Sequence, residues 1–134
     1  MDSLKERLKK HEGFQESPYR DDKGYWTIGY GHFMGNGGCR ISPFIADAIL
    51  VEDLHKARFE YFALGWDHLS PTREDVVIEL IFWHGFRGFL KFKKCIAAIE
   101  RSDWETAADE MMDSQSGRRY ATRMKTLADI MRHG

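Results

Sequence analysis

The sequence predicts an α+β protein that is mostly helical, with one small β-hairpin near its N-terminus. Three observations predict this class. Apolar residues recur at helical spacing along most of the 134-residue chain. The stretch from residue 18 to residue 33 is instead rich in aromatic and β-branched residues, which favour strands. Apolar residues make up 43% of the chain and aromatic residues 13%, which supports a sizeable core and excludes a disordered chain.

The first elements along the chain are a short helix and the hairpin. The helix ends near Glu12, because the helical spacing stops there and Gly13 is a typical helix terminator. Residues 21–24, Asp-Asp-Lys-Gly, are turn-forming and precede the aromatic stretch. We therefore expect a hairpin within residues 18–33, followed by a glycine-rich loop at residues 35–38.

The remainder of the chain is predicted to be helical. A long helix runs from about residue 43 to residue 64, with Ser42 as its N-cap and a proline at its first position. Thr72 and Asp75 resemble a capping box, and the helix that they open stops at Gly85. Three further helices follow, at about residues 89–99, 103–113 and 120–132.

The length and the charge balance limit what the protein can be. A chain of this size fits one domain, residues 1–134. Twenty basic and 21 acidic residues give a formal charge of −1, so we expect no nucleic-acid partner. Cys39 and Cys95 lie far apart, and the histidines lack ligand spacing, so we expect no metal and no cofactor. We expect a monomer.

Catalytic chemistry is concentrated in the first 32 residues. Glu12 at the end of a helix, Asp21 nine residues later and the hydroxyl of Thr27 can converge when a hairpin folds back over the helix end. Two carboxylates and a hydroxyl suit hydrolysis, with one carboxyl as proton donor and the other activating a water. Spacing alone leaves open an ordinary helix-end glutamate and a turn-forming aspartate. His32 we expect to be an internal hydrogen-bond partner.

The order of these residues resembles a known signature. The sequence reads Glu12-Gly13, then Pro18-Tyr19-x-Asp21, then Gly24-Tyr25-Trp26-Thr27-Ile28-Gly29-Tyr30-Gly31-His32. This pattern is similar to that of the phage T4-type lysozymes, glycoside hydrolase family 24, and the resemblance extends more faintly over most of the chain.

The resemblance implies a lysozyme-like architecture. A small N-terminal lobe, residues 12–42, would carry the hairpin, and a connecting helix, residues 43–64, would lead to a helical lobe at residues 70–134. The first helix would pack on the helical lobe, and peptidoglycan would bind in a cleft between the lobes.

The resemblance also implies residue roles. Glu12 would be the general acid, Asp21 the carboxylate that activates or positions water, and Thr27 the residue that holds this water. Asp22 is the nearest rival of Asp21, and only the family spacing chooses between them. Arg123 would face the catalytic glutamate, where its charge would lower the pKa of Glu12, so burial must compensate.

Other positions concern the sugar. Phe33 and Phe82 correspond to cleft-lining, substrate-binding positions of the family. The chain departs from the family pattern at five positions, so its subsite preferences are expected to differ: Trp83, Phe92, Glu110, Ser116 and Arg119.

The function implied is hydrolysis of the β-1,4 bond between N-acetylmuramic acid and N-acetylglucosamine, with inversion, in bacterial cell lysis. The lysozyme could act as a free phage endolysin or as part of a virion, and host range and wall type stay open. The alternative is a catalytically silent wall-binding or virion assembly protein with the same fold.

The first residues contain no apolar signal stretch. We therefore expect the chain to stay in the host cytoplasm until a separate pore-former, a holin in the family pattern, opens the way to the wall or periplasm.

Overall fold

The computed structural model describes residues 2–23, 26–33 and 40–134, with Asp2, Ser17, Pro18, Trp26 and Phe33 described through their backbone. Three strands and seven helices are formed in these residues. They follow the order α1 (Asp2–Glu12), β1 (Gln15–Arg20), β2 (Trp26–Gly29), β3 (His32–Phe33), α2 (Pro43–Phe62), α3 (Pro71–Leu90), α4 (Lys93–Glu100), α5 (Trp104–Asp113), α6 (Gln115–Arg119) and α7 (Ala121–His133). The predicted fold class, α+β and mostly helical, is confirmed. The tip of the hairpin, Gly24 and Tyr25, the glycine-rich loop and Cys39 lie outside the described residues.

The β region is a three-stranded antiparallel sheet in the order β1-β2-β3, larger than the predicted hairpin. Tyr19 pairs with Thr27, and Gln15 pairs with Gly29. The register shifts between these two pairs, in the part of the edge strand that contains Pro18, a residue with no N–H to donate. Beyond β2 the chain reverses at once, because Gly31 adopts a positive φ of 79° that glycine tolerates. This reversal forms the third strand.

The long helix α2 was predicted to start at residue 43 and does so. The Oγ of Ser42 accepts a hydrogen bond from the backbone N–H of Ile45 at 3.3 Å. The helix ends at Phe62, two residues earlier than predicted, because Leu64 and Gly65 donate to carbonyls only three residues back and so tighten the last turn.

For the next helix, α3, one sequence-based prediction is wrong and one is confirmed. Its N-cap is Ser70, whose Oγ accepts from the backbone N–H of Arg73, with Pro71 as the first helical residue. The capping-box prediction at Thr72 is therefore wrong by two residues. Gly85 interrupts the helix with φ 74° and ψ 161°, as the predicted stop at this residue required.

The helix predicted over residues 89–99 is divided in the structure. Leu90 ends α3, and α4 begins at Lys93. Phe92 has a non-helical ψ of 59°, which breaks the continuity. The apolar spacing continues across the break, so the pattern alone could not reveal it.

The short helix α6 was not predicted, because five residues are too few to show a period. Its N-cap is Ser114, whose Oγ accepts from the backbone N–H of Gly117 at 3.0 Å. Gly117 is buried, and a Cβ there would lie 2.3 Å from the carbonyl oxygen of Met111, so only glycine fits.

The chain divides into two compact units, Met1–Lys56 and Ala57–Gly134, called unit 1 and unit 2 below. Helix α1 and the sheet belong to unit 1, and α2 contributes residues to both. Large buried apolar side chains of unit 1 are Leu4, Leu8, Ile28, Leu50 and Leu54. Those of unit 2 include Tyr61, Ile78, Leu80, Ile81, Phe89, Ile99 and Met111. The packing of the first helix on the helical lobe and the cleft stay predictions. No described helix combines the length and hydropathy needed to span a membrane.

Candidate functional site

Glu12 is the last residue of α1 and is half-buried. The helix ends there because Gly13 has a positive φ of 70° and its N–H closes the last turn onto the carbonyl of Lys9 at 2.9 Å. The carboxyl group lies against Gly31 in the turn between β2 and β3. A Cβ on Gly31 would lie 2.7 Å from Oε2 of Glu12, so the turn covers the carboxyl as closely as its backbone allows.

The same turn is attached to α1 by a chain of side-chain contacts. The Tyr30 ring lies 5.6 Å from the Phe14 ring and 5.3 Å from the Nζ of Lys9. Lys9 in turn pairs with Asp47 of α2 at 2.5 Å, and Lys5 pairs with the same carboxylate at 2.7 Å. Hydrogen bonds from the two lysines hold the pKa of Asp47 below its usual range. These contacts hold the turn beside Glu12.

Thr27 lies in the central strand and is 5% exposed. Its Oγ1 donates a hydrogen bond to the backbone carbonyl of Tyr19, its partner across the sheet, at 3.2 Å. A threonine hydroxyl has one hydrogen and two lone pairs. Because the hydrogen is directed at Tyr19, the oxygen can act toward another group only as an acceptor.

Asp21 follows β1 directly and is half-buried, whereas Asp22 is exposed. Oδ1 of Asp21 accepts a hydrogen bond from the backbone N–H of Lys23 at 2.9 Å, which forms an Asx-type turn. This turn uses Oδ1 of the carboxylate. Glu12 comes before strand β1 and Asp21 comes directly after it. Thr27 of β2 pairs with Tyr19 of β1.

His32 of β3 lies outside this set. Its Nδ1 lies 2.7 Å from Oδ2 of Asp53 on α2. The expectation that His32 is an internal hydrogen-bond partner is confirmed. Within the described residues, no group of three or more His, Cys, Asp or Glu side chains is arranged to hold a metal ion.

In unit 2, Arg123 of α7 contacts α3. Its Nε donates to Oε2 of Glu79 at 3.2 Å, and its guanidinium lies 4.1 Å from the centre of the Trp83 ring. Glu79 is completely buried, so Arg123 offsets a charge inside unit 2. The sequence analysis missed Glu79, although a single acid within an apolar helical run was the available signal.

His84 links three elements of unit 2. Its Nδ1 lies 2.9 Å from the carbonyl oxygen of Leu80, and its Nε2 lies 2.7 Å from the Oγ of Ser116. Its ring lies 4.4 Å from the Trp83 ring and 4.9 Å from the Phe92 ring. Three of the positions that depart from the expected pattern therefore meet at one histidine.

A cavity of about 300 Å³ opens beside this cluster, at the start of α4. Its lining residues are Lys91, Phe92, Lys93, Lys94, Cys95, Glu110, Asp113 and Ser114. Burial, reinforced by the charge of Glu110, raises the pKa of the Cys95 thiol to about 12, so this cysteine is no nucleophile at neutral pH.

Comparison with known proteins adds to this geometry. The profile of the phage lysozyme family matches residues 9–128. The chain belongs to the phage lysozyme family. Two relatives from Dictyostelium discoideum are similar over most of their length. One, named probable T4-type lysozyme 1, is 23% identical over 163 aligned positions, which cover 100% of this chain and 96% of the relative. The other, probable T4-type lysozyme 2, is 24% identical and covers 85% of this chain and 84% of the relative.

The matched range spans the positions of Glu12, Asp21, Thr27, Phe82 and Arg123. It confirms the resemblance to this lysozyme family and supports glycoside hydrolysis of peptidoglycan as the activity class. The individual site assignments stay predictions. Phe82 is half-buried on α3, whereas the side chain of Phe33 lies outside the described residues.

Proposed function

We propose that this chain is a lysozyme that cleaves the β-1,4 bond between N-acetylmuramic acid and N-acetylglucosamine, with inversion at the anomeric carbon. The observation that carries the proposal is that a member of the phage lysozyme family has Glu12, Asp21 and Thr27 together within one compact unit. A protein that only bound the wall would have no chemical need for two carboxylates and a hydroxyl in this pattern.

Glu12 is the proposed general acid. Its position at the C-terminal end of α1 supports this role, because the negative end of the helix dipole disfavours a second negative charge there. Contact with Gly31 also removes water from one side of the carboxyl. The scheme requires this carboxyl to donate its proton to the departing glycosidic oxygen.

Asp21 is the proposed base, acting on a water that Thr27 orients. In this scheme the water donates one hydrogen to the lone pairs of Thr27 and its other hydrogen to the carboxylate of Asp21, and its own lone pair attacks the anomeric carbon. Thr27 would be superfluous if Asp21 bonded to the sugar itself. The inverting route requires about 6.5–9.5 Å between the two carboxyl groups, and the retaining route about 5 Å.

The stereochemistry has a direct test. Proton NMR of the first-formed reducing sugar should show the α-anomer, because inversion of a β-linkage gives α. A β-anomer as first product would replace this mechanism with a covalent intermediate on Asp21.

The proton donor can be tested with a matched pair of variants. Glu12→Gln should abolish the clearing of purified sacculi, because an amide cannot supply the proton. Glu6→Gln makes the same chemical change on the same helix at an exposed position and should keep wild-type activity. If Glu12→Gln cleared sacculi at the wild-type rate, Glu12 could not be the proton donor. Inactivity of the wild-type chain itself would favour the silent wall-binding or assembly protein.

A second pair separates the neighbouring aspartates. Asp21→Asn preserves an oxygen that can accept from the N–H of Lys23, so the turn persists while the base is lost. We expect a loss of at least about 100-fold in kcat, since general-base catalysis contributes about 10²–10⁴-fold. Asp22→Asn should stay active. The reverse result would assign the base to Asp22.

Further proposals concern the substrate and the setting. Arg123, Phe33 and Phe82 are proposed to contact substrate, with Arg123 acting electrostatically.

The protein is proposed to act as a monomer in bacterial lysis, from the host cytoplasm, once a holin has opened the inner membrane. Expression in a bacterium should therefore be tolerated until a permeabiliser is added, and lysis without one would contradict the dependence on a holin.

A further inference from the structure

The arginine and lysine side chains of unit 2 differ in whether they contact a partner group. All residues from 57 to 134 are described, and eight of the twelve arginines and lysines among them contact a carboxylate, a backbone carbonyl or an aromatic ring: Arg58, Arg73, Arg101, Arg118, Arg119, Arg123, Lys125 and Arg132. Among the described residues, the other four side chains have no carboxylate partner. They are Arg87, Lys91, Lys93 and Lys94, and all four are exposed. Among the described residues of unit 2, the cations without any of these partners are thus confined to residues 87–94.

Three of these four cations line the cavity at the start of α4. Two acids line it as well, but Asp113 is paired with Arg118 at 3.3 Å. Three lysines therefore face one remaining carboxylate, that of Glu110. The cavity, at about 300 Å³, is near the lower end of the volumes that small-ligand pockets have. It has room for a short segment that carries negative charge.

We propose that this cavity binds a carboxylate-bearing segment of an acidic peptide, with Lys91, Lys93 and Lys94 as the residues that select free carboxylates over amides. The inference rests on the proposed function, under which the segment belongs to the peptide stems of the wall polymer. The three lysines are then specificity-determining residues for the charge state of those stems.

The lining favours a peptide over a phosphate polymer. Glu110 can accept hydrogen bonds from the N–H groups of a peptide, whereas a phosphodiester has no donor for it and repels it. Phe92 adds an apolar wall beside the lysines, which suits the aliphatic part of an amino acid. A ligand with carboxylates, N–H groups and short apolar side chains satisfies all three features.

Binding can be measured without catalysis. Backbone NMR of the full chain, titrated with the tripeptide Ala-Glu-Ala, should show shifts in the amide signals of Lys93, Lys94 and Cys95 that saturate at millimolar concentrations. The counterpart Ala-Gln-Ala-amide, which carries no carboxylate, should shift these signals far less. Raising the salt concentration to about 0.5 M should weaken the binding of Ala-Glu-Ala, because exposed charge pairs are screened.

A matched pair of double variants tests the lysines. Lys93→Gln/Lys94→Gln should raise the Kd for Ala-Glu-Ala about fivefold or more, as expected for the loss of two exposed charge contacts. Arg101→Gln/Lys125→Gln removes the same charge from exposed positions away from the cavity and should leave Kd unchanged. If both pairs of substitutions raised Kd equally, the attraction would depend only on the net charge of the protein, and this result would overturn the proposed site.

Two other outcomes would also overturn the proposal. Inorganic phosphate that shifts the same signals at lower concentration than Ala-Glu-Ala would identify a phosphate site. Equal Kd values for the acidic and the amidated tripeptides would show that the cavity does not select carboxylates. A chain that binds Ala-Glu-Ala but clears no sacculi would contradict the proposed hydrolase and leave the binding site intact, so the two failures are distinguishable.

Discussion

Gly31→Ala tests whether the turn between β2 and β3 positions the proposed general acid. Gly31 has φ 79°, and a Cβ there would lie 2.7 Å from Oε2, 3.0 Å from Cδ and 3.2 Å from Cγ of Glu12. Ordinary contacts of this kind begin at 3.4 Å, so the carboxyl must retreat by about 0.7 Å (3.4 − 2.7) or the turn must move by that amount.

The substitution has two separable costs. Alanine at a left-handed φ is strained by about 1–2 kcal/mol, whatever surrounds it. Displacement of Glu12 adds an effect on activity, because a misplacement of about 1 Å in a catalytic group can cost about 100-fold. We therefore expect kcat to fall about 10- to 100-fold and the stability to fall by about 1–2 kcal/mol.

Gly65→Ala is the control that isolates the contact. Gly65 has a similar φ of 72°, but a Cβ there would meet nothing within 4 Å. Urea denaturation should show similar stability losses for both variants, and the rate of sacculus clearing should fall for Gly31→Ala alone. Equal activities of the two variants would refute the view that the turn positions Glu12.

Three further predictions concern stability. Arg123→Ala should destabilise the fold by about 3–5 kcal/mol in urea titrations, because it leaves the buried carboxylate of Glu79 without the guanidinium of Arg123. Adding Glu79→Gln should recover part of this loss. A greater loss of stability in the double variant would contradict the pairing. Ser102→Gly should stabilise the protein by about 0.5–1 kcal/mol, because Ser102 has φ 60°; a lower midpoint than wild type would count against it. Asp47→Asn should be destabilising at pH 7, and this difference from wild type should shrink as pH falls below about 4, since the folded-state pKa of Asp47 is lowered and its contribution is lost on protonation. A pH-independent difference would show that its two lysine pairs contribute nothing.

The local signals in the sequence were reliable where one residue decides the backbone. Gly13 ended the first helix after Glu12, and Gly85 interrupted α3, because each adopts a positive φ that other residues disfavour. The start of α2 after Ser42 followed from a polar cap and a proline. By contrast, Ser70 and Thr72 are both plausible caps, and the choice of Ser70 depends on which hydroxyl reaches the N–H of Arg73.

The sequence by itself determined the family and the mostly helical class, because glycines, caps and a signature string act over short stretches of chain. It also predicted Glu12, Asp21 and Thr27 as the catalytic residues. Tertiary structure alone decided the contacts between residues far apart in sequence. It directed the hydroxyl of Thr27 at Tyr19, set the Glu12 carboxyl against Gly31 and paired Arg123 with a buried Glu79. No periodicity encodes such pairs, since the energy of a contact depends on burial and distance, which exist only once the chain has folded.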